Sequence, residues 1–120
     1  MAYKFERLEI YQLGLEYLDH IYTLAEQLPH SENSNLYSQL IRAATSIVLN
    51  IAEGSTGQSN PEQSRFLGMA LRSVIETVAC QHIILRRRYL ANTKIRPVYE
   101  QSEKLVAKIQ AMRKSLRPLK

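Results

Sequence analysis

The 120-residue sequence has few residues that break helices or cross-link a chain. It contains four glycines, four prolines and one cysteine, Cys80. A single cysteine excludes an intrachain disulfide framework and a cysteine-rich zinc site, and it is typical of a reduced compartment. The scarcity of glycine and proline favours long, uninterrupted helices. The sequence therefore predicts a helical protein of the cytoplasm.

Long apolar runs are also missing. No segment reaches the roughly 18 uncharged apolar residues of a membrane-spanning helix, and the longest quiet run, AATSIVLNIA, contains Asn50. The N-terminus, MAYKFERLEIYQ, carries charges where a signal peptide needs an apolar run. We therefore expect no membrane partner. An apolar content of 45% is normal for a globular protein. A chain of 120 residues is long enough for one compact domain, over residues 1–120, and too short for two.

Charge is distributed unevenly along the chain. Residues 1–53 hold three Lys/Arg and seven Asp/Glu, a net charge of −4, whereas residues 54–120 hold thirteen Lys/Arg and four Asp/Glu, a net charge of +9. Two interpretations follow. Acidic and basic helices either neutralise each other by packing side by side, or the basic half attracts nucleic acid or another polyanion.

Hydrophobic periodicity predicts an all-α protein, because apolar residues recur every three or four positions and no strand-type alternation competes. The predicted helices cover about residues 7–28, 36–53, 61–90 and 97–117. Their punctuation is Pro29 after the first, Gly54 as a left-handed C-cap of the second, Asn60 as N-cap of the third and Pro97 opening the fourth. Short connections favour an antiparallel up-down-up-down four-helix bundle.

The second half of the third predicted helix, VIETVACQHIIL, is apolar nearly all round. Five of its apolar or small residues lie off the main stripe: Ile75, Ala79, Cys80, Ile83 and Ile84. A helix that is apolar on several sides needs cover on several sides. Since a four-helix monomer leaves each helix an exposed back, we expect a subunit interface here, and with it a homo-oligomer.

Polar residues form one stripe along the second predicted helix, SQLIRAATSIVLNIAEG. The members are Gln39, Arg42, Ser46, Asn50 and Glu53. The stripe lacks the His, Cys or Lys that a catalytic row would need. We interpret it as a hydrogen-bonding seam that fixes helix register or a subunit contact, with Arg42 as its candidate ligand contact.

The sequence offers no persuasive catalytic or metal site. Glu53 and Glu76 are the acids embedded in apolar surroundings, and ordinary ion pairs explain both. His20, His30 and His82 have no metal-ligand spacing. We therefore expect neither an enzyme nor a bound metal or cofactor.

Basic residues are the strongest candidate binding groups. ILRRRYL places three arginines in succession, and Arg65 and Arg72 project in nearly the same direction as Arg86 and Arg87. The candidate contacts to nucleic acid or a partner are Arg42, Arg65, Arg72, Arg86, Arg87, Arg88, Lys94, Arg96, Lys104 and Lys108. No helix-turn-helix, zinc-finger or RNP signature accompanies them, so they predict contact with the phosphates of RNA or DNA rather than base readout. The alternative is a purely structural or adaptor oligomer, in which these cations pair with the acidic first helix.

Four stretches of the chain carry a family resemblance: FERLEIYQ, LPHSE, SQLIRAATSIVLNIAEG and FLGMALRSVIET. The sequence resembles the four-helix-bundle proteins encoded in intervening sequences of bacterial 23S ribosomal RNA genes. It is also similar to the related accessory variability determinant proteins of diversity-generating retroelements. The pattern usually has a second arginine where Ile41 stands here, and often a proline where Val48 stands.

The resemblance implies a bundle that assembles into a ring-like homopentamer without assigned enzymatic activity. For retroelement members it further implies a positively charged oligomer that engages nucleic acid and a partner reverse transcriptase. No residue in this sequence separates the retroelement context from the ribosomal RNA gene context.

Overall fold

The computed structural model describes residues 2–56 and 59–118, and this part of the chain is built from helices without a strand. The α-helices are α1 (Glu9–Ala25), α2 (Ser38–Gly54), α3 (Asn60–Arg86) and α4 (Asn92–Ser115). A 3₁₀ turn over Lys4–Arg7 leads into α1, and a 3₁₀ turn over His30–Glu32 followed by a π turn over Asn33–Tyr37 leads into α2. The predicted all-α class is confirmed.

Each α-helix packs against two others, so that α1 and α3 both contact α2 and α4. Side-chain contacts give the helix directions, because low numbers in one helix meet high numbers in its neighbour. Such pairs are Ser46–Ser73 and Gly54–Phe66 between α2 and α3, and His20–Gln101 and Glu9–Lys108 between α1 and α4. These neighbours are therefore antiparallel, as in a four-helix bundle.

The core is formed by one apolar stripe from each helix. Its fully buried apolar members include Ile21, Ile47, Ile51, Leu67, Val74, Ile84, Leu105 and Ile109. Burial of these stripes is the main favourable contribution to folding, at about 25 cal/mol per Å² of apolar surface removed from water.

A small polar network lies inside this core. The Tyr17 hydroxyl and Thr77 Oγ1 are 2.8 Å apart, and Gln81 Nε2 donates to the Tyr17 hydroxyl at 3.1 Å. Burial raises the pKa of Tyr17 above its ordinary value, and these hydrogen bonds act in the opposite direction. The network links α1 to α3 across the bundle, so it favours one register of the two helices.

The helix ends differ from the predicted ones. α1 is shorter than the predicted 7–28, because the chain forms a 3₁₀ turn before Glu9 and leaves the helix after Ala25. α2 begins at Ser38 rather than at 36, because the preceding residues form the π turn, whose Leu36 N–H donates to the Glu32 carboxylate at 3.4 Å. Local capping contacts decide these ends.

The capping residues of α2 and α3 also differ from the predicted ones. Gly54 is the last residue of α2 and is not its left-handed cap; the C-cap is Ser55, with φ −100°. Ser59, rather than Asn60, is the N-cap of α3, because its Oγ accepts from the Glu62 N–H at 3.3 Å. Pro61 lies in the first turn of α3, where its missing N–H costs nothing.

The connection between α3 and α4 lies earlier than predicted. α3 ends at Arg86 rather than at 90, and α4 begins at Asn92 rather than at Pro97. Pro97 therefore lies inside α4. Pro97 is the sixth residue of α4; its fixed φ is helical, but it removes the backbone hydrogen bond to the Thr93 carbonyl. Within the described ranges, no helix has the length and apolarity needed to cross a bilayer.

Candidate nucleic-acid and subunit interfaces

The basic candidates separate into clusters. We call the group at the α3–α4 connection the basic turn; it consists of Arg86, Arg87, Arg88, Lys94 and Arg96, all exposed. Arg65 lies near the start of α3, Arg72 lies near its middle, and Arg42 lies on α2. Because a helix rises 1.5 Å per residue, Arg65 is about 31 Å from Arg86 along α3. The two clusters on α3 are therefore separate contact points.

The basic turn is built on a C-terminal capping motif. The Tyr89 N–H donates to the Ile84 carbonyl at 3.1 Å, and the Arg88 N–H donates to the Leu85 carbonyl at 3.0 Å. This is the Schellman pattern, in which the residue after the C-cap takes a left-handed conformation and is usually glycine. Here that residue is Arg88, with φ 59°. An exposed arginine thus occupies a backbone position that glycine would fill with less strain.

Electrostatics at the basic turn are strongly positive. Residues 86–96 contain five cations and no acid. Lys94 lies in the first turn of α4, which has no acidic residue and whose N-cap, Ala91, provides no side-chain cap. Cations at a helix N-terminus are disfavoured by the helix dipole. The position of Lys94 is therefore not explained by helix stability, whereas Arg86, in the last turn of α3, is favoured by the dipole of that helix.

Glu32 is the acid held against this region. The Tyr89 hydroxyl donates to its carboxylate at 2.8 Å. Hydrogen bonds from Tyr89 and Asn35 hold the pKa of Glu32 below its ordinary value, and the nearby Arg87 charge acts in the same direction. Glu32 thus offsets part of the charge of Arg87. In the described part of the chain, the other four cations of the basic turn, Arg86, Arg88, Lys94 and Arg96, have no carboxylate within 4.0 Å.

An aromatic residue lies beside the basic turn. Tyr99 is exposed and lines a pocket of about 240 Å³ together with Arg96, His82 and Asn92. Aromatic side chains next to cations are suited to stacking on unpaired bases. Tyr89, by contrast, is half-buried and bonded to Glu32, so its ring serves the fold.

Arg65 and Arg72 line a groove of about 800 Å³ between α3 and α4, together with Arg113. Arg113 Nε donates to Ser64 Oγ at 3.4 Å, and its guanidinium lies over Gly68, where a Cβ would be 3.3 Å from Nη2. Gly68 thus leaves room for the guanidinium of Arg113, another basic residue of α4. This packing was not predictable from the sequence, because it depends on the alignment of α3 with α4.

Two of the basic candidates form ion pairs within the chain. Arg65 Nε donates to Glu62 Oε1 at 3.2 Å, and Lys108 Nζ lies 3.4 Å from Glu9 Oε1 on α1. Both pairs are solvent-exposed, so each contributes little to stability. Lys104 is exposed on the outer side of α4. The Glu9–Lys108 pair shows the acidic α1 and the basic α4 side by side.

The polar stripe of α2 has two kinds of members. Ser46 contacts Ser73 of α3 at 3.0 Å between hydroxyl oxygens, and Asn50 Nδ2 donates to the Ser46 carbonyl and hydroxyl oxygens at 2.9 and 3.0 Å. Gln39 donates to Asn35 Oδ1 at 3.1 Å. These three residues tie α2 to its own chain. The two charged members of the stripe, Arg42 and Glu53, are exposed.

The outward side of α3 presents apolar residues to solvent. Ile75 is 58% exposed and Ile83 is 46% exposed, whereas Cys80 and Ile84 are buried. Ile75 and Ile83 are therefore available for the expected subunit contact. Cys80 and Ile84 are not, so the prediction that they belong to this contact was wrong. They face the core because the apolar arc of α3 is wider than its sequence stripe suggests.

Residues with possible redox, metal or acid–base chemistry are dispersed. Cys80 is buried, and burial raises the pKa of its thiol, which keeps the thiol protonated and unreactive. His20 hydrogen-bonds Gln101 of α4. Over residues 2–56 and 59–118, no three His, Cys, Asp or Glu side chains are grouped so as to hold a metal ion.

Fold and surface together define a basic, antiparallel four-helix bundle with exposed apolar and cationic faces. The chain belongs to the family of 23S rRNA-intervening sequence proteins, whose pattern it matches over residues 6–111. The resemblance read from the sequence is thereby confirmed for this family.

One solved structure with the same fold is a protein of unknown function from the S23 ribosomal protein family of Bacteroides thetaiotaomicron. It aligns with a TM-score of 0.79 and 23% sequence identity, over 88% of this chain and 98% of that one. This similarity supports the fold alone. No curated protein matches the sequence.

Proposed function

We propose that this chain is a non-enzymatic, homo-oligomeric protein of the cytoplasm that binds nucleic acid through the basic turn. The observation that carries the proposal is the accumulation of five exposed cations within residues 86–96, without an acid among them. Such a surface attracts a phosphate backbone by releasing its counterions. Exposed Tyr99 beside it provides a stacking surface for unpaired bases, which favours single-stranded RNA or DNA.

Oligomerisation is proposed through the outward side of α3, where Ile75 and Ile83 are exposed. A ring, with five copies as the family resemblance implies, would repeat the basic turn around its circumference. Repetition raises avidity for a long polyanion, because each further contact is intramolecular. In a retroelement context the nucleic acid would be presented to a partner reverse transcriptase.

A second candidate function is a structural or adaptor oligomer without direct nucleic-acid contact. The pairing of Glu9 with Lys108 supports it, because acidic and basic helices already neutralise each other at that point. The basic turn favours the first candidate, because Arg86, Arg88, Lys94 and Arg96 make no such pair in the described part of the chain. High salt would loosen an adaptor oligomer held by charge, and light scattering over a salt series would show it.

The proposed function predicts binding that weakens steeply with salt. With labelled RNA and DNA oligonucleotides we expect binding at about 50 mM salt, and a fall in log K of about 0.7 to 0.9 per decade of salt for each phosphate contacted. Fluorescence anisotropy at several salt concentrations measures both the affinity and the slope. Absence of binding to every oligonucleotide at about 50 mM salt would refute direct contact with nucleic acid.

Replacing Arg88 with glycine should have opposite effects on stability and on nucleic-acid binding. Arg88→Gly should raise the unfolding free energy by about 1 kcal/mol, because glycine adopts the left-handed conformation without strain. The same change should lower nucleic-acid affinity about five- to eightfold through the loss of one phosphate contact at about 0.1 M salt. Urea unfolding and anisotropy measure the two effects.

The matched control is Arg87→Gly. Arg87 has φ −81° and a helical conformation, so glycine there gives no relief and should lower stability. If Arg88→Gly lowers stability as Arg87→Gly does, the left-handed conformation of Arg88 is not strained. If Arg88→Gly leaves the affinity unchanged, Arg88 does not contact the nucleic acid.

A further inference from the structure

The outward face of α2 carries opposite charges at its two ends. Arg42 and Glu53 are both exposed. They are eleven positions apart, so at 100° per residue they project within about 20° of each other, and about 16 Å separates them along the helix. This distance is too long for an ion pair within one chain. Among residues 2–56 and 59–118, neither side chain has a partner of opposite charge within 4.0 Å.

An apolar residue lies between these charges. Leu49 is 55% exposed and projects within about 20° of Arg42, and Ser46 lies on the same face. The order Arg42, Ser46, Leu49, Glu53 has spacings of four, three and four, which is the spacing of a helix–helix packing seam. A groove of about 650 Å³ follows this face.

Asn50 lines the same groove and leaves one polar atom available. Its side chain is only 7% exposed, and both of its hydrogen bonds use Nδ2. Its Oδ1 accepts no hydrogen bond from the described residues, so it can accept one from an incoming chain. The groove thus combines an apolar centre, an open acceptor and a charge of each sign at its ends.

We propose that this face of α2 packs antiparallel against the same face of a second copy. The two-fold axis lies outside α2, at the level along the helix of Ile47 and Val48, midway between Arg42 and Glu53. In this arrangement, Arg42 of each copy lies level with Glu53 of the other, because both are equally far from the axis. The two Leu49 side chains lie next to each other at the centre. The face is therefore self-complementary, as an isologous contact requires.

The contact rests on the proposed homo-oligomer but uses a face different from the α3 surface. A ring closed through α3 would be heterologous, whereas the α2 contact is two-fold. The two together pair one ring with another and double the number of copies. Loss of the α2 contact therefore halves the assembly, whereas loss of the α3 contact opens the rings.

Charge reversal tests the pairing of Arg42 with Glu53. Arg42→Glu and Glu53→Arg each place like charges together at both ends of the seam, so each should halve the mass measured by light scattering. The double variant, Arg42→Glu with Glu53→Arg, restores opposite charges and should restore the wild-type mass. Recovery in the double variant requires a second copy, because the two residues are out of reach within one chain.

The controls separate this proposal from misfolding and from the α3 contact. Both positions are exposed, so circular dichroism should show wild-type helix content for all three variants. Glu62→Arg, which breaks the exposed Glu62–Arg65 pair on α3, should leave the mass unchanged. Wild-type mass in Arg42→Glu, or no recovery in the double variant, overturns the α2 contact. Ile83→Asp on α3 tests the ring independently, and nucleic-acid binding tests the basic turn.

Discussion

Reversing the three consecutive arginines of the basic turn should nearly abolish nucleic-acid binding. At about 0.1 M salt, each phosphate contact contributes a factor of about five to eight to affinity. Replacing Arg86, Arg87 and Arg88 with glutamate should therefore weaken binding at least about a hundredfold, with added repulsion from the new carboxylates. The slope of log K against log salt should become shallower by about two to three. Anisotropy with the same oligonucleotides measures both quantities.

A matched variant separates local contact from net charge. Lys4, Lys114 and Arg117 are exposed and lie at the opposite end of the bundle, because α1 and α4 are antiparallel and α4 begins at the basic turn. Their replacement with glutamate changes the net charge by the same amount. We expect less than about a fivefold loss of affinity for this control, because exposed charges beyond the Debye length are screened. Equal losses in the two variants would mean that binding follows total charge rather than the basic turn.

The fold was predictable because it depends on repetition along the chain. Apolar residues every three or four positions place one stripe per helix, and Ile21, Ile47, Val74 and Ile109 all lie in the core. No single residue decides this result, so local errors cancel. The number of helices and the all-α class follow from the same pattern.

The helix ends and the details of the surface were not predictable because single contacts decide them. Arg88 takes a left-handed conformation that sequence rules assign to glycine, so the third helix was extended four residues too far. Ser46 meets Ser73 only because α2 and α3 align in one register. The basic cluster itself was visible in the sequence, whereas its position at a Schellman turn was not.

Gly54 illustrates this limit and provides the clearest test of packing. The sequence predicts that Gly54 is a left-handed C-cap. In the structure it is helical and buried, and a Cβ there would lie 2.8 Å from Phe66 Cβ. Since Phe66 Cβ is fixed to the backbone of α3, no rotamer can relieve the contact, and the helices must move apart. Gly54→Ala should therefore lower the unfolding free energy by about 1 to 3 kcal/mol through overpacking.

Gly14 is the matched control, because the same substitution there should have the opposite sign. It lies inside α1, and its Cβ would meet Val48 Cγ2 at 3.5 Å, an ordinary contact distance. Gly14→Ala should raise the unfolding free energy by about 0.5 to 1 kcal/mol, because alanine restricts the unfolded chain and favours the helix. Urea unfolding at one protein concentration compares the two variants, since oligomerisation makes apparent stability depend on concentration. Changes of the same sign would mean that Gly54 does not set the approach of α2 to α3.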